Sequence, residues 1–187
     1  QALTEALELP SYSVIGHSMG ARIGIRLAAK QPAGLHRLVM VDPPVSGPGR
    51  RAYPSKLPWY TDSIAMARKG CSADDMRAFC PTWTPEQLQL RAEWLHTCNV
   101  HGIVITFHNF HEEDVHQYLS SVRVPTLLMV AGRGDVIRPE DEREMLNLLP
   151  SLLISRVPQA GHMIPWDDEP GFYQALGDFL GAPVARP

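Results

Sequence analysis

The 187-residue sequence is 44% hydrophobic and carries a net charge of −3, with 17 Lys and Arg against 20 Asp and Glu. That balance describes one globular domain with a substantial core, and without a basic block it excludes a nucleic-acid partner. No apolar run approaches the roughly 20 residues of a bilayer-spanning helix and no charged-then-apolar signal segment opens the chain, so a cytoplasmic protein acting on a small molecule is expected.

Gln1 to Leu9 reads as the end of a helix, with Leu3, Ala6, Leu7 and Leu9 at roughly helical spacing and Pro10 as its stop. The β-branched stretch Tyr12 to Ile15 predicts a strand, and Ala21 to Lys30 predicts an amphipathic helix. Between them lies Gly16-His17-Ser18-Met19-Gly20, a G-x-S-x-G pattern at a strand-to-helix junction. At that junction the pattern is a nucleophile elbow, whose tight turn holds a serine Oγ clear of the backbone; both glycines are expected where a Cβ finds no room.

Leu38 to Val41 is a continuous apolar run, as in a buried parallel strand, and it ends in Asp42-Pro43-Pro44. Strand, helix, strand makes a right-handed βαβ unit, and ligands gather at the carboxyl ends of such strands. From Val45 to Val122 the rhythm changes, with Pro and Gly punctuation followed by helical stretches at Asp62 to Lys69, Ser72 to Cys80 and Thr84 to Cys98. Ile103 to Phe107 fits strand or helix, and Glu112 to Leu119 reads as helical. This predicts an α/β core over 1–44 and 123–187, interrupted by a helical lid insertion over 45–122. The core resumes with strand Thr126 to Ala131, loop Gly132-Arg133-Gly134-Asp135, helix Pro139 to Leu149, strand Leu152 to Val157 and helix Gly171 to Leu180.

Serine is a poor nucleophile at its free pKa and needs a base, itself oriented by a third group. For Ser18 the expected base is His162, in Gln159-Ala160-Gly161-His162 just after the last predicted strand. Two aspartates occupy qualified positions for the orienting acid: Asp42 after the second strand and Asp135 after the third. His17 is set aside as a base, being placed on the wrong side of Ser18. The Met19 N–H is the expected oxyanion donor. A second should come from a loop after an earlier strand, so the natural chain is expected to continue upstream of Gln1.

The histidines 96, 101, 108, 111 and 116, with Glu112, Glu113 and Asp114, are read as solvated polar residues. They lack a zinc-binding pattern, and neither a metal nor another cofactor is expected. Cys71, Cys80 and Cys98 are odd in number and read as reduced thiols.

With the GHSMG elbow, the GRGD segment after a strand and the late AGH, the chain resembles the α/β-hydrolase fold superfamily. The resemblance covers its C-terminal part, so the family's first strands are expected to be absent. More specific runs, GHSMGARIGIRLA, LVMVDPPVSGPGRRAYPS, CSADDMRAFCPTW, RAEWLHTCN and AGHMIPWDD, are similar to those of the N-formylmaleamate deformylases of bacterial nicotinate breakdown. That resemblance implies metal-free hydrolysis of an N-formyl amide, with Asp42 as the acid in place of Asp135. The substrate carboxylate then calls for a cation, and Arg50 or Arg51 are the candidates. The competing expectations are an esterase, lactonase or carbon–carbon hydrolase on the same framework, or a non-catalytic binding module.

Overall fold

In the computed structural model, which describes residues 2–184, a short helix α1 (Ala2–Ala6) leads to strand β1 (Tyr12–His17) and helix α2 (Met19–Ala29). Strand β2 (Leu35–Val41) follows. Then come the helices α3 (Leu57–Arg68), α4 (Ala73–Met76), α5 (Pro85–Trp94) and α6 (Val100–Glu112). Strand β3 (Thr126–Ala131), helix α7 (Pro139–Leu148), strand β4 (Leu153–Val157) and helices α8 (Ile164–Asp167) and α9 (Glu169–Leu180) complete the chain. The four strands form one sheet in the order β1-β2-β3-β4, every pair parallel.

Leu38 to Val41 of β2 and Leu127 to Ala131 of β3 are continuously apolar because the sheet is covered on both faces there. Leu38, Met40, Leu128 and Val130 point to one side, where they pack with Ala21, Ile25 and Ala28 of α2 and Met145 of α7. Val39, Val41, Leu127 and Met129 point to the other, against Ala175 and Leu176 of α9 and Ile164 of α8. Parallel pairing with two-sided burial sets all four carboxyl ends on one edge, and the loops that leave them carry Ser18, Asp42, Asp135 and His162.

The chain divides into two compact units. One runs up to Arg51 and resumes at Glu113; the other is Ala52–Glu112. Segments on either side of the second unit belong to the first for a packing reason: Val45, Val115, Leu119 and Val122 are buried in the core of the sheet. The second unit is helical, with Ala67, Met76, Cys80 and Leu88 at its centre. The Arg91 guanidinium lies 4.7 Å from the ring centre of Trp59 and 5.6 Å from that of Trp83. Capping boxes at Ser72 with Asp75 and at Thr84 with Gln87 start α4 and α5. The helix expected over Ser72 to Cys80 shrinks to Ala73–Met76 and passes into tight turns (Arg77 N–H to Asp74 C=O, 3.1 Å) ahead of Pro81. The ambiguous Ile103 to Phe107 lies inside α6, near whose start the Asn99 side chain accepts the Gly102 N–H at 3.0 Å. Beyond α6, Val115–Ser121 is a 3₁₀ helix capped by Asp114.

Within the first unit a cluster of charges ties the segment after β2 to the segment before β3. Arg50 donates to Asp114 (3.0 Å) and as a two-pronged fork to Glu144. His116, expected on a solvated face, is instead buried, with Nδ1 3.2 Å from Glu144. Burial, reinforced by the neighbouring Arg50 charge, lowers the His116 pKa. The Arg50 hydrogen bonds pull the Glu144 carboxyl down to about 2. Because that pKa lies below its ordinary value of 4.5, the contribution of Glu144 is complete above pH 4.5 and disappears as pH falls toward 2. Glu144→Gln is accordingly expected to cost about 1 kcal/mol at pH 7, solvent screening of the partly exposed pair keeping the effect modest. The gap to the parent should close between pH 4.5 and about 2, as read from urea midpoints across that window.

Candidate active site

Ser18 sits at the turn from β1 into α2 with φ 54° and ψ −115°, a conformation that costs a serine on the order of 1–3 kcal/mol and persists because its surroundings enforce it. The enforcement is visible. The Ser18 N–H donates to the Val41 carbonyl at the end of β2 (2.8 Å), and its own carbonyl accepts the Ala21 N–H (3.0 Å) and Arg22 N–H (3.3 Å). At Gly16 an added Cβ would lie 2.6 Å from the Ala21 nitrogen and closer still to the Gly20 carbonyl, so only glycine fits. The same steric reason does not hold at Gly20, where an added Cβ meets nothing within 4 Å; the crowding expected at both glycines is confined to the strand side of the turn.

Asp42 leaves the end of β2 with φ 46°, a left-handed conformation that aspartate tolerates better than most residues. It is 1% exposed. One carboxylate oxygen accepts the Ala131 N–H (3.3 Å) and the other the Nδ1–H of His162 (2.7 Å). The loop bearing His162 is pegged on both sides by residues with no exposed surface: Ala160 two positions before it and Ile164 two positions after. Helix α8, which sequence periodicity did not reveal, starts directly behind it, and the Met163 carbonyl accepts the N–H groups of Trp166 (2.8 Å) and Asp167 (2.9 Å). So anchored, the imidazole presents Nε2 to the Ser18 Oγ at 3.0 Å. With Nδ1 protonated toward the carboxylate, Nε2 is the acceptor for the serine hydroxyl.

Three groups from loops 24 and 120 residues apart thus form one chain of hydrogen bonds, Ser18 to His162 to Asp42. Asp135 is not part of it. Its exposed carboxylate is held by Arg138 through two hydrogen bonds (2.7 and 2.8 Å), which also lower its pKa. Met19 is the first residue of α2, so its N–H belongs to the first-turn donors without an intrahelical acceptor and lies next to Ser18.

The two arginines proposed for a substrate carboxylate are committed elsewhere. Arg50 is neutralised by Asp114 and Glu144. Arg51 donates to the Asp141 carboxylate (2.5 Å) and to the carbonyls of Asp135 (3.2 Å) and Val136 (3.3 Å). These contacts fasten the loops around the sheet edge. Arg22 lies outside the elbow motif yet is buried four residues past Ser18, where it donates to the carbonyls of Pro44 (2.9 Å), Ser46 (2.8 Å) and Glu113 (2.7 Å). An arginine on the core-facing side of an amphipathic helix was the available signal.

Among the described residues no three His, Cys, Asp or Glu side chains gather as a metal site requires, and Cys71, Cys80 and Cys98 are each unpaired. No helix among the described residues is long and apolar enough to cross a membrane.

A parallel sheet flanked by helices, with serine, aspartate and histidine on loops in that order along the chain, is the architecture of α/β hydrolases. The chain belongs to the alpha/beta hydrolase fold family, whose sequence model matches residues 1–169. Over 98% of its length it is 64% identical to N-formylmaleamate deformylase of Pseudomonas putida, and it spans 68% of that relative. The crystal structure of an N-formylmaleamic acid deformylase from Pseudomonas putida superposes with a TM-score of 0.89 at 48% identity, covering 94% of this chain and 69% of the other. E-2-(acetamidomethylene)succinate hydrolase shares the fold, with a TM-score of 0.73 at 18% identity over 96% of this chain and 70% of its own.

Proposed function

We propose that this chain is a serine hydrolase cleaving the carbon–nitrogen bond of an N-formyl amide, with N-formylmaleamate as substrate and maleamate and formate as products. The observation that carries the reading is the His162 imidazole spanning Ser18 Oγ (3.0 Å) and the buried Asp42 carboxylate (2.7 Å). The 64% identity to a deformylase supplies the substrate class.

In this mechanism the Ser18 Oγ attacks the formyl carbon while His162 Nε2 takes the hydroxyl proton. The Met19 N–H stabilises the oxyanion that forms. His162, now an imidazolium steadied by Asp42, returns the proton to the departing amide nitrogen, and the carbon–nitrogen bond breaks to give maleamate and a formyl-serine. Water, deprotonated by His162, attacks the ester; formate leaves and the Ser18 hydroxyl is restored. A nitrogen flanked by two acyl groups leaves more readily than a simple amine, so the imidazolium faces a modest proton-transfer demand. The helical Ala52–Glu112 unit is inserted between β2 and β3, where the sequence pattern leads one to expect a lid.

Formate release from N-formylmaleamate measured beside a panel of p-nitrophenyl esters tests the assignment. The expected kcat/KM is about 10²-fold higher for the formyl amide than for any ester. A preference for the esters would make the protein an esterase.

A further inference from the structure

His17 immediately precedes Ser18 and ends β1, and its side chain reaches the residue that carries the base. Its Nε2 lies 2.8 Å from the backbone carbonyl of His162, and the two rings face each other with centroids 5.0 Å apart and planes tilted by 40°. We infer that His17 is a positioning residue, whose N–H grips the main chain of His162 and sets the base at hydrogen-bond distance from the neighbouring Ser18. The inference rests on the triad reading above.

A carbonyl can only accept, so the His17 proton resides on Nε2. Several main-chain bonds then hold the His162 loop: Arg133 N–H grips the Ala160 carbonyl (2.9 Å), His17 grips that of His162, and Trp166 and Asp167 grip that of Met163. Of these only the His17 bond acts at the residue that carries the base, and only it comes from the residue bonded to the nucleophile. Any shift of β1 therefore moves Ser18 and the His162 backbone together, preserving the 3.0 Å contact between them. A displacement on the order of 1 Å between reacting groups costs about 10²-fold in rate, so a tether here has a large effect on turnover.

The charge of His17 matters as well. Burial lowers its pKa, and the groups facing it pull in opposite directions: its hydrogen bond to the His162 carbonyl and the carboxylates of Asp42 and Asp167 raise it, while the His162 ring lowers it further. At neutral pH the tether is uncharged. A cation 5.0 Å from His162 would oppose the imidazolium that forms when Ser18 loses its proton, so a neutral donor is the form compatible with turnover.

Two amides of different reach separate positioning from bulk. In His17→Gln the new side-chain nitrogen extends as far as Nε2 of histidine, whereas in His17→Asn it stops short. With N-formylmaleamate, His17→Asn should lower kcat by about 10- to 100-fold with KM within about twofold, and His17→Gln should stay within about threefold of the parent in both. The rate of Ser18 labelling by a fluorophosphonate should follow kcat. Equal activity of the two variants, whether both high or both low, or a loss expressed in KM, would overturn the inference. Ser18→Ala in the same series keeps the premise separate: residual turnover or labelling there would strike the triad itself, whatever His17 does.

Discussion

Asp42→Asn will lower kcat by about 10⁴-fold, while Asp135→Asn will leave it within about threefold of the parent. The difference follows from what each carboxylate touches. One Asp42 oxygen takes the Ala131 N–H and the other takes the Nδ1–H of His162. An asparagine in that place has one oxygen and one NH₂. If the oxygen stays on Ala131, the NH₂ faces Nδ1, and the ring satisfies it only by moving its own proton to Nε2. His162 would then offer a donor where Ser18 needs an acceptor. Reversing the amide sets two donors against each other at Ala131 inside a site that is 1% exposed, where an unmade hydrogen bond is expensive. Asp135→Asn merely weakens an exposed pair with Arg138, worth little in water. Steady-state formate release for both variants, with midpoints of thermal unfolding as a control, checks the prediction; the larger loss at Asp135 would move the acid to the third strand.

The choice between these two aspartates marks the boundary of what local pattern can decide. Leu38 to Val41 and Thr126 to Ala131 were legible because strands buried on both faces must be apolar throughout, and a carboxylate just past such a strand lies at the ligand-binding edge. Both Asp42 and Asp135 meet that condition. Which one meets His162 depends on the turn each takes, and the left-handed φ of Asp42 that brings its carboxylate under the imidazole leaves no trace in a pattern of residue types. The longer resemblance, through the VDPP segment, pointed to Asp42.

Arg50 and Arg51 show what a local pattern leaves out. Two adjacent arginines beside a predicted lid look available to an anionic substrate, because a sequence gives their charge without their partners. Those partners, Asp114, Glu144 and Asp141, lie 64, 94 and 90 residues downstream. His17 is legible as a residue beside the nucleophile, but its contact with the His162 carbonyl, 145 residues downstream, leaves no mark in local pattern. Helix α8 escaped notice because four residues containing Pro165 carry no readable period, although the burial of Ile164 is what fixes the loop behind His162.

Ser18→Ala carries the largest expected effect, a fall in kcat of about 10⁶-fold, because the remaining His162 and Asp42 have no hydroxyl to activate. The fold should survive it. The bonds that shape the elbow use the Ser18 backbone, not its side chain, and the steric demand for glycine falls on Gly16. A variant with parent-like unfolding behaviour and no turnover isolates chemistry from stability.

The central claim is that Ser18 is a nucleophile activated by His162, and covalent capture tests it most directly. After treatment of the folded protein with a fluorophosphonate, peptide mass mapping should find one equivalent of adduct on the Ser18 Oγ, and His162→Ala should abolish it. An unlabelled Ser18 in folded protein, or an adduct on any other residue, would contradict the account.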